Sequence, residues 1–371
     1  MTLPLGSAPE RVGALDRSFW RGRRVFVTGH TGFKGSWLSL WLDALGATMT
    51  GYALEPPTSP SLFEQAHVGG AVRTVLADVR DLPRLTAALR ESAPDVVLHM
   101  AAQSVVTQGY ADPVGTFGAN VMGTVNLLEA VRGLGRPCAV VVVTSDKCYD
   151  HGTSGAPYRE SDAMGGDDPY SSSKGCAELV TLAYRRSYFP AGELARHGVG
   201  VASARAGNAI GGGDWTADQL IPDLIRGFSS GKRCLIRSPA GIRPWQFVLE
   251  PLRGYLMLAE QLATGRAAFA SSWNFGPVEA DAKPVAWIAD HLMAGWGHGA
   301  AWTRDANAHP AEAPVLRLDA TKAATELGWR PALPLSDGLD WTVEWYQAWH
   351  RGDDLARVTR SQISRYEEWL S

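Results

Sequence analysis

The side chains of this sequence with the clearest chemical potential are Tyr170 and Lys174, in the run Tyr170-Ser171-Ser172-Ser173-Lys174. Residues four apart on a helix share one face, with Cβ atoms about 5–6 Å apart. A lysine that close favours the ionised phenol and draws its pKa down from a reference of about 10. A phenolate near neutral pH is a usable general base. The spacing alone is common, so its weight depends on what surrounds it. Upstream stand Ser145, Asp146 and Lys147, directly after Ala139-Val140-Val141-Val142-Val143-Thr144. Five apolar residues in a row read as a strand covered on both faces. Open α/β sheets bind their ligands at the carboxyl ends of such strands. An acid and an amine at that place point to proton transfer, whereas elsewhere they would read as a solvated ion pair.

A second constellation is Gly29-His30-Thr31-Gly32-Phe33-Lys34-Gly35, a G-x-x-G-x-x-G run. It lies between a short apolar strand, Arg24 to Thr28, and a helix expected from Gly32 to Leu45, where Trp37, Leu38, Trp41, Leu42 and Leu45 recur at helical spacing. In that context glycines permit a tight turn and a close backbone approach to a pyrophosphate, and the helix N-terminus offers unpaired N–H groups. Gly29, Gly32, Phe33, Lys34 and Gly35 are therefore cofactor-binding candidates. An acid for the adenine ribose is expected about 20 residues on. The chain has Ala53-Leu54 there, with Glu55 just beyond and no arginine to meet a 2′-phosphate. This favours NAD over NADP. The weak ribose signal leaves open whether NAD stays with the protein through purification or is released. Asp78, after the third strand, either bonds the adenine amino group or serves as a turn acid.

The elements that must position these groups alternate in units of about 30 residues. Strands are expected at 48–54, 72–77, 95–100, 139–143 and 199–205, and helices at 82–92, 114–132, 170–188 and 248–262. The pattern predicts an α/β fold, a doubly wound parallel sheet of Rossmann type with a smaller C-terminal substrate-binding domain. The dinucleotide-binding domain is expected over 1–206 plus 248–274, and the substrate-binding domain over 207–247 plus 275–371, where glycine and proline become frequent. Residues 1–20 read as a loose lead-in without the apolar stretch of a signal peptide.

The chain has 371 residues, 45% apolar and 20% charged, with net charge -3. That balance gives no global field toward nucleic acid or an anionic membrane. No run approaches a membrane span. The four cysteines form no C-x-x-C pair, so neither a metal site nor a disulfide framework is expected, and reduced thiols in the cytoplasm are. The 14 tryptophans, several of them in the C-terminal third, are expected in packing.

Together the glycine run, His99-Met100-Ala101-Ala102-Gln103, Asn120, Thr144-Ser145-Asp146 and Tyr170/Lys174 resemble the extended short-chain dehydrogenase/reductase family over nearly the whole chain. The stretches GHTGFKGSWL (29–38), EPPTSPSLFE (55–64), TSDKCY (144–149), RAGNAIGGGDW (205–215) and RPWQFVLEPLRGYL (243–256) are similar to those members that dehydrate CDP-glucose at C4 and C6. The resemblance implies NAD contacts at Asp78, Val79, Ala101, Ala102, Tyr170 and Lys174. It also implies a substrate that is CDP-glucose or a related sugar nucleotide, touched by Gln103, Asn208, Arg237 and Arg243. Arg243 would hold the diphosphate, and Arg237 reads equally as a surface charge. Tyr170 would take the C4-hydroxyl proton with Lys174 tuning it and Ser145 bonding nearby, and Asp146 would protonate the departing C6 hydroxyl. Lys147 stands where the related dTDP-glucose dehydratases carry glutamate. It would take the C5 proton directly or position a water that does. Asn120, inside a helix, is expected to orient a partner.

The sequence also departs from that pattern. Thr107, Gly109, Phe247 and Ala311 stand where relatives tend to have arginine, serine, histidine and histidine, several of them in stretches expected near the sugar or its phosphates. A different sugar nucleotide, or epimerisation in place of dehydration, thus stays open beside the leading reading. A catalytically silent dinucleotide sensor is disfavoured by the intact Tyr170/Lys174 pair. A homodimer through the helices around 114–132 and 170–188 is implied, although their apolar faces would equally suit core packing.

Overall fold

The computed structural model describes residues 13–150, 155–297, 299–307 and 315–370. Seven strands, β1 (Arg24–Thr28), β2 (Thr48–Ala53), β3 (Arg73–Leu76), β4 (Val96–His99), β5 (Cys138–Val143), β6 (Val199–Ala206) and β7 (Ser272–Phe275), form one sheet. Their order is β7-β6-β5-β4-β1-β2-β3, and every pair is parallel. The order reverses at β1, whose neighbours are β2 and β4. In a doubly wound sheet a crevice opens beyond the strand ends at such a point.

The side-chain period of two sorts the strand residues between two helical layers. Val25, Val27 and Val141 face one layer, built from α1 (Phe33–Ala44) and the later helix Leu249–Ala263. Phe26, Val140 and Val142 face the other, built from α2 (Leu82–Ser92) and α3 (Gly123–Arg132). Both faces are covered, which is why β5 reads as an unbroken apolar run. The helix expected over 114–132 is present but not uniform. A short helix, Pro113–Phe117, passes through a π-helical turn, Gly118–Met122, before α3 begins. Next comes α4 (Pro169–Ser187), capped by the Asp168 carboxylate on Ser171 N–H with Pro169 at the first position.

Strand β7 has no counterpart in the sequence reading, although it falls within the segment assigned to the core. Four residues holding Trp273 and Asn274 carry no alternation to detect, and β7 exists because β6 offers it an edge. Beyond β6, three small sheets join residues 209–210 to 246–247, 234–236 to 302–304 and 242–244 to 282–284. They are accompanied by α5 (Leu220–Ser229) and, after α6 (Leu249–Ala263), by α7 (Val285–Trp296). The chain closes with α8 (Leu335–Arg351) and α9 (Leu355–Trp369). Trp341 and Trp345 are buried, and Trp369 is half exposed. Helix α9 lies on α1, with Tyr366 edge-on to Trp41 at 5.7 Å and Arg360 paired with Asp43 at 2.8 Å.

Not all of 1–20 is a loose lead-in. Residues 1–12 lie outside the described residues, but Arg17–Trp20 form a helical turn capped by Asp16. This turn is seated by Glu260 of α6, whose buried Oε1 accepts from Trp20 Nε1 at 2.6 Å and from Asp16 N–H at 3.0 Å. An indole N–H brought into the core needs such an acceptor, and the apolar ring supplies the burial.

Burial pushes the Glu260 carboxyl up to about 7 from an ordinary 4.5, against the lowering effect of the Trp20 bond. Between those values the folded chain holds a proton that the unfolded chain releases, so stability falls as pH rises through that window. Glu260→Gln keeps a carbonyl acceptor and removes the titration. Urea unfolding at pH 4.5 and pH 8 should show wild type losing on the order of 3 kcal/mol relative to Glu260→Gln between the two. An unchanged difference would contradict this account of the seat.

Candidate active site

The glycine turn comes first in the chain and is the most tightly specified. Gly29 has φ +78°, and a Cβ there would stand 2.7 Å from the Ala101 nitrogen; one on Gly35 would stand 2.1 Å from the Gly29 carbonyl oxygen. Side chains are excluded at both, so the loop backbone packs against the start of α1 and the end of β4. Gly32 opens α1, and among the described residues no side chain caps it. The first N–H groups of the helix are thus available to an anion. Ala101 N–H is held by Thr28 Oγ1 at 3.1 Å, and Ala101 and Ala102 are half-buried beside the turn. His30 is packed inside under Gly51, and burial drops its pKa to about 4, keeping the ring neutral.

At the end of β2, where a ribose acid was sought, Leu54 is exposed. Asp78 occupies a turn. Its carboxylate receives Arg80 Nη2 at 2.6 Å and Arg80 N–H at 2.8 Å, which holds it below the usual range. Val79 packs against Gly123, where a Cβ would meet its methyl at 2.8 Å. Lys34 is drawn down by burial and raised by the nearby charges of Asp146 and Asp214, with burial dominant.

Ser145, Asp146, Tyr170 and Lys174 are all buried at the junction of β5 and α4, and Lys147 is half-buried. Ser145 Oγ donates to Asp146 Oδ1 at 3.0 Å and accepts Lys147 N–H at 3.2 Å. Asp146 Oδ2 is buried with no hydrogen-bond partner among the described residues. A buried unpaired carboxyl oxygen is costly unless it is protonated or meets a ligand. Burial indeed raises the Asp146 pKa, outweighing Lys147, Ser145, Arg243 and Lys34.

The Tyr170–Lys174 relation differs from its expected form. Burial is the largest influence on Tyr170 and lifts its phenol well above the ordinary value; a Ser145 hydrogen bond lowers it, and the charges of Asp146, Asp168 and Cys148 raise it further. Lys174 is itself drawn down to about 8 by burial and by Lys34, and its Nζ is 3.5 Å from the Val143 carbonyl oxygen. Desolvation moves both groups toward their neutral forms, and at Tyr170 it is the largest influence, so the phenol stands above its ordinary value with Lys174 beside it.

From Lys147 a cleft opens toward the small sheets, lined by Ser171, Asn208, Arg237, Arg243 and Trp245 among others. Arg243 is buried and donates to the Ile242 carbonyl at 2.9 Å; Arg237 is half-buried and reaches the Asp218 carbonyl at 3.4 Å. Gln103 is not among the residues lining this cleft. Its amide donates to Thr116 Oγ1 at 2.9 Å, its side-chain carbonyl accepts Val105 N–H, and its backbone is clamped by Asn120 at 2.8 and 2.9 Å. Asn120 also donates to Ser173 Oγ at 2.8 Å, so the helix-interior asparagine ties the Gln103 loop to α4.

Among the departures, Thr107 donates to Asp218 Oδ2 at 2.7 Å across the cleft. At Gly109 a Cβ would stand 3.2 Å from the Tyr170 nitrogen. Phe247 belongs to the core instead, edge-on between Trp37 at 5.9 Å and Trp341 at 5.5 Å. An aromatic there completes packing that an imidazole would leave partly polar. Ala311 lies outside the described residues. The sequence reading passed over three groups now seen at the site: Asp168, Glu178 and Arg205. An aspartate before Pro169 signals a helix cap, but nothing local marks the other two.

Residues 26–342 match the family described as GDP-mannose 4,6 dehydratase. The chain is 51% identical over 352 residues to a CDP-glucose 4,6-dehydratase of Salmonella typhimurium, covering 95% of this chain and 98% of that protein. It is 30% identical over 256 residues to a dTDP-glucose 4,6-dehydratase of Streptomyces griseus, covering 68% of this chain and 71% of that one. A solved structure of dTDP-glucose 4,6-dehydratase from Streptomyces venezuelae, with NAD bound, is similar at TM-score 0.71 and 25% identity, covering 90% of this chain and 99% of that chain.

Proposed function

This chain belongs to the GDP-mannose 4,6-dehydratase family, and from that membership we propose that it converts CDP-glucose to CDP-4-keto-6-deoxyglucose with NAD. The observation that carries the reading is Asp146, buried with an unpartnered Oδ2 and followed by Lys147, at the strand end beside Tyr170. Simple C4 epimerisation needs no acid for a C6 leaving group.

The glycine cradle and the uncapped start of α1 fit a dinucleotide pyrophosphate, with Gly29, Gly32, Phe33, Lys34 and Gly35 around it. Val79, Ala101 and Ala102 would stand along the rest of the cofactor, with Asp78 near its adenine. NAD, when bound, would take the C4 hydride and return it at C6, and its cationic ring would add the positive charge that Lys174 alone does not supply to Tyr170. Tyr170 accepts the C4-hydroxyl proton, with the Ser145 hydroxyl holding that oxygen. The C4 ketone acidifies the C5 hydrogen. Lys147, or a water it holds, removes that proton. Asp146, whose carboxyl burial shifts toward the protonated form, gives its proton to the C6 hydroxyl, which departs as water. The C5 proton and C6 hydroxyl leave as the elements of water; hydride returned to C6, with a proton returned to C5 from Lys147 or its water, would give the 4-keto-6-deoxy product with no net oxidation. Arg243, Arg237 and Asn208 would hold the diphosphate and sugar, and 207–247 with 275–371 make the substrate side.

Two further features complete the reading. All four cysteines are unpaired, as suits the reducing cytoplasm where we place the enzyme. The chain acts as a homodimer, for which the support is an apolar surface on the helices at 113–132 and 169–187: Val114 is 82% exposed, Leu179 55% and Met122 50%. Sedimentation should give about twice the chain mass, and Val114→Glu with Leu179→Glu should halve it; a wild-type monomer would contradict the dimer.

The assay is incubation with NAD and each of CDP-, UDP-, dTDP- and GDP-glucose, reading the ultraviolet absorption of 4-keto-6-deoxy sugars in alkali. CDP-glucose should give product, and Tyr170→Phe should lower kcat by roughly 10²–10⁴-fold. Silence with CDP-glucose from folded, NAD-binding protein would sink the proposal.

A further inference from the structure

Behind the reacting groups lies a buried polar cluster that takes no part in the steps above. Glu178 stands four residues beyond Lys174 and eight beyond Tyr170, on the same stripe of α4. Its carboxylate accepts from Thr144 Oγ1 at 2.5 Å, Ser203 Oγ at 2.7 Å and Arg205 Nη2 at 2.8 Å. The Glu178 and Arg205 side chains are each 3% exposed. Arg205, on β6, also donates to the Tyr149 hydroxyl at 2.8 Å and the Glu160 carbonyl at 3.2 Å. Tyr149 in turn donates to Asn274 Oδ1 on β7 at 2.6 Å. Burial would push the Glu178 carboxyl up, but Arg205 and the donors around it hold it below the ordinary range, so it stays an anion.

A buried ion pair is weak evidence for a stabilising role, since apolar residues of equal volume often do as well. The connectivity here points elsewhere. Thr144 immediately precedes Ser145, and its N–H is already fixed by the Ala204 carbonyl at 2.9 Å. Lys174 lies near the carbonyl of Val143, the residue before it. The helix that carries Tyr170 and Lys174 thus also grips the strand end that carries Ser145, Asp146 and Lys147. Oxidation at C4 and elimination across C5 and C6 act on one sugar ring, so the two sets must keep one spacing. A misplacement of about 1 Å between such groups can lower a rate about 10²-fold.

We propose that Glu178, with Arg205 as its counter-ion, is a positioning residue that acts through Thr144 to hold Ser145, Asp146 and Lys147 in register with Tyr170 and Lys174. This rests on the dehydratase reading. It makes Glu178 necessary for the elimination step although it touches neither sugar nor cofactor.

The test compares Thr144→Val, Glu178→Gln and the double variant with wild type, on whichever sugar nucleotide wild type dehydrates. Thr144→Val removes only the hydroxyl link and keeps the shape. It should lower kcat about 10- to 100-fold, leave KM within about twofold and lower the melting temperature by only a few degrees, the cost of one donor lost from a buried carboxylate. The kinetic isotope effect on kcat with substrate deuterated at C5 should grow, because removal of that proton becomes slower relative to the other steps. The double variant should be no slower than Glu178→Gln, since both act through one contact. Should Glu178→Gln fail to fold, Thr144→Val carries the test alone. A folded Thr144→Val with the kcat and isotope effect of wild type would overturn the inference. Inactive wild type would instead remove the dehydratase reading on which it stands.

Discussion

Desolvation at the carboxyl end of β5 is the constraint on which this site depends. Asp146, Tyr170 and Lys174 are all buried there, and burial drives each toward its neutral form. For Asp146 that suits the proton-donor role proposed for it. For Tyr170 it is the reverse, since a base must lose its proton. The same medium makes any positive charge brought beside the phenol count for more than it would in water. The burial that suits the proposed acid, Asp146, thus opposes the proposed base, Tyr170, unless positive charge is brought beside it. One environment can then host both an acid and a base without exchanging their roles.

The fold supplies that environment by parallel packing. A sheet covered on both faces has dry strands, and β5, β6 and β7 end side by side with their last polar groups turned toward one another. Thr144, Arg205 and Asn274 all lie at those ends, and their partners include Glu178 of α4 and Tyr149, Tyr158 and Glu160. Most of these buried polar groups have been gathered into one connected network, although Arg205 Nε has no partner among the described residues. At the end of β1, the glycine turn packs this closely against β4 and α1 only because Gly29 and Gly35 lack side chains. The two halves meet where Lys34 feels the charge of Asp146.

What could be read from the sequence was what is local. Apolar runs marked the strands, helical spacing marked α1 and α2, and the glycine turn and the Tyr170/Lys174 pair announced themselves by spacing. The helix at 82–92 was read to the residue. Contacts between distant segments were not legible. Phe247 looked like a departure near the sugar until Trp37 and Trp341 were seen to enclose it. The bonds that Gln103 makes to Thr116 and Val105 could not be read from its place in the sequence. Glu178 looked like any helix glutamate, and only β6 reveals its partner. The weight of burial on Tyr170 was not legible either, since spacing tells which charges are close but not how much water has been removed.

The central claim is that one site oxidises C4, eliminates across C5 and C6, and returns the same hydrogen to C6. The direct measurement is the fate of deuterium in CDP-glucose labelled at C4, followed by nuclear magnetic resonance of the product. The account predicts a 4-keto-6-deoxy product carrying the label in its C6 methyl group. Label left at C4 of an epimerised sugar, or carried away by released cofactor, would contradict it.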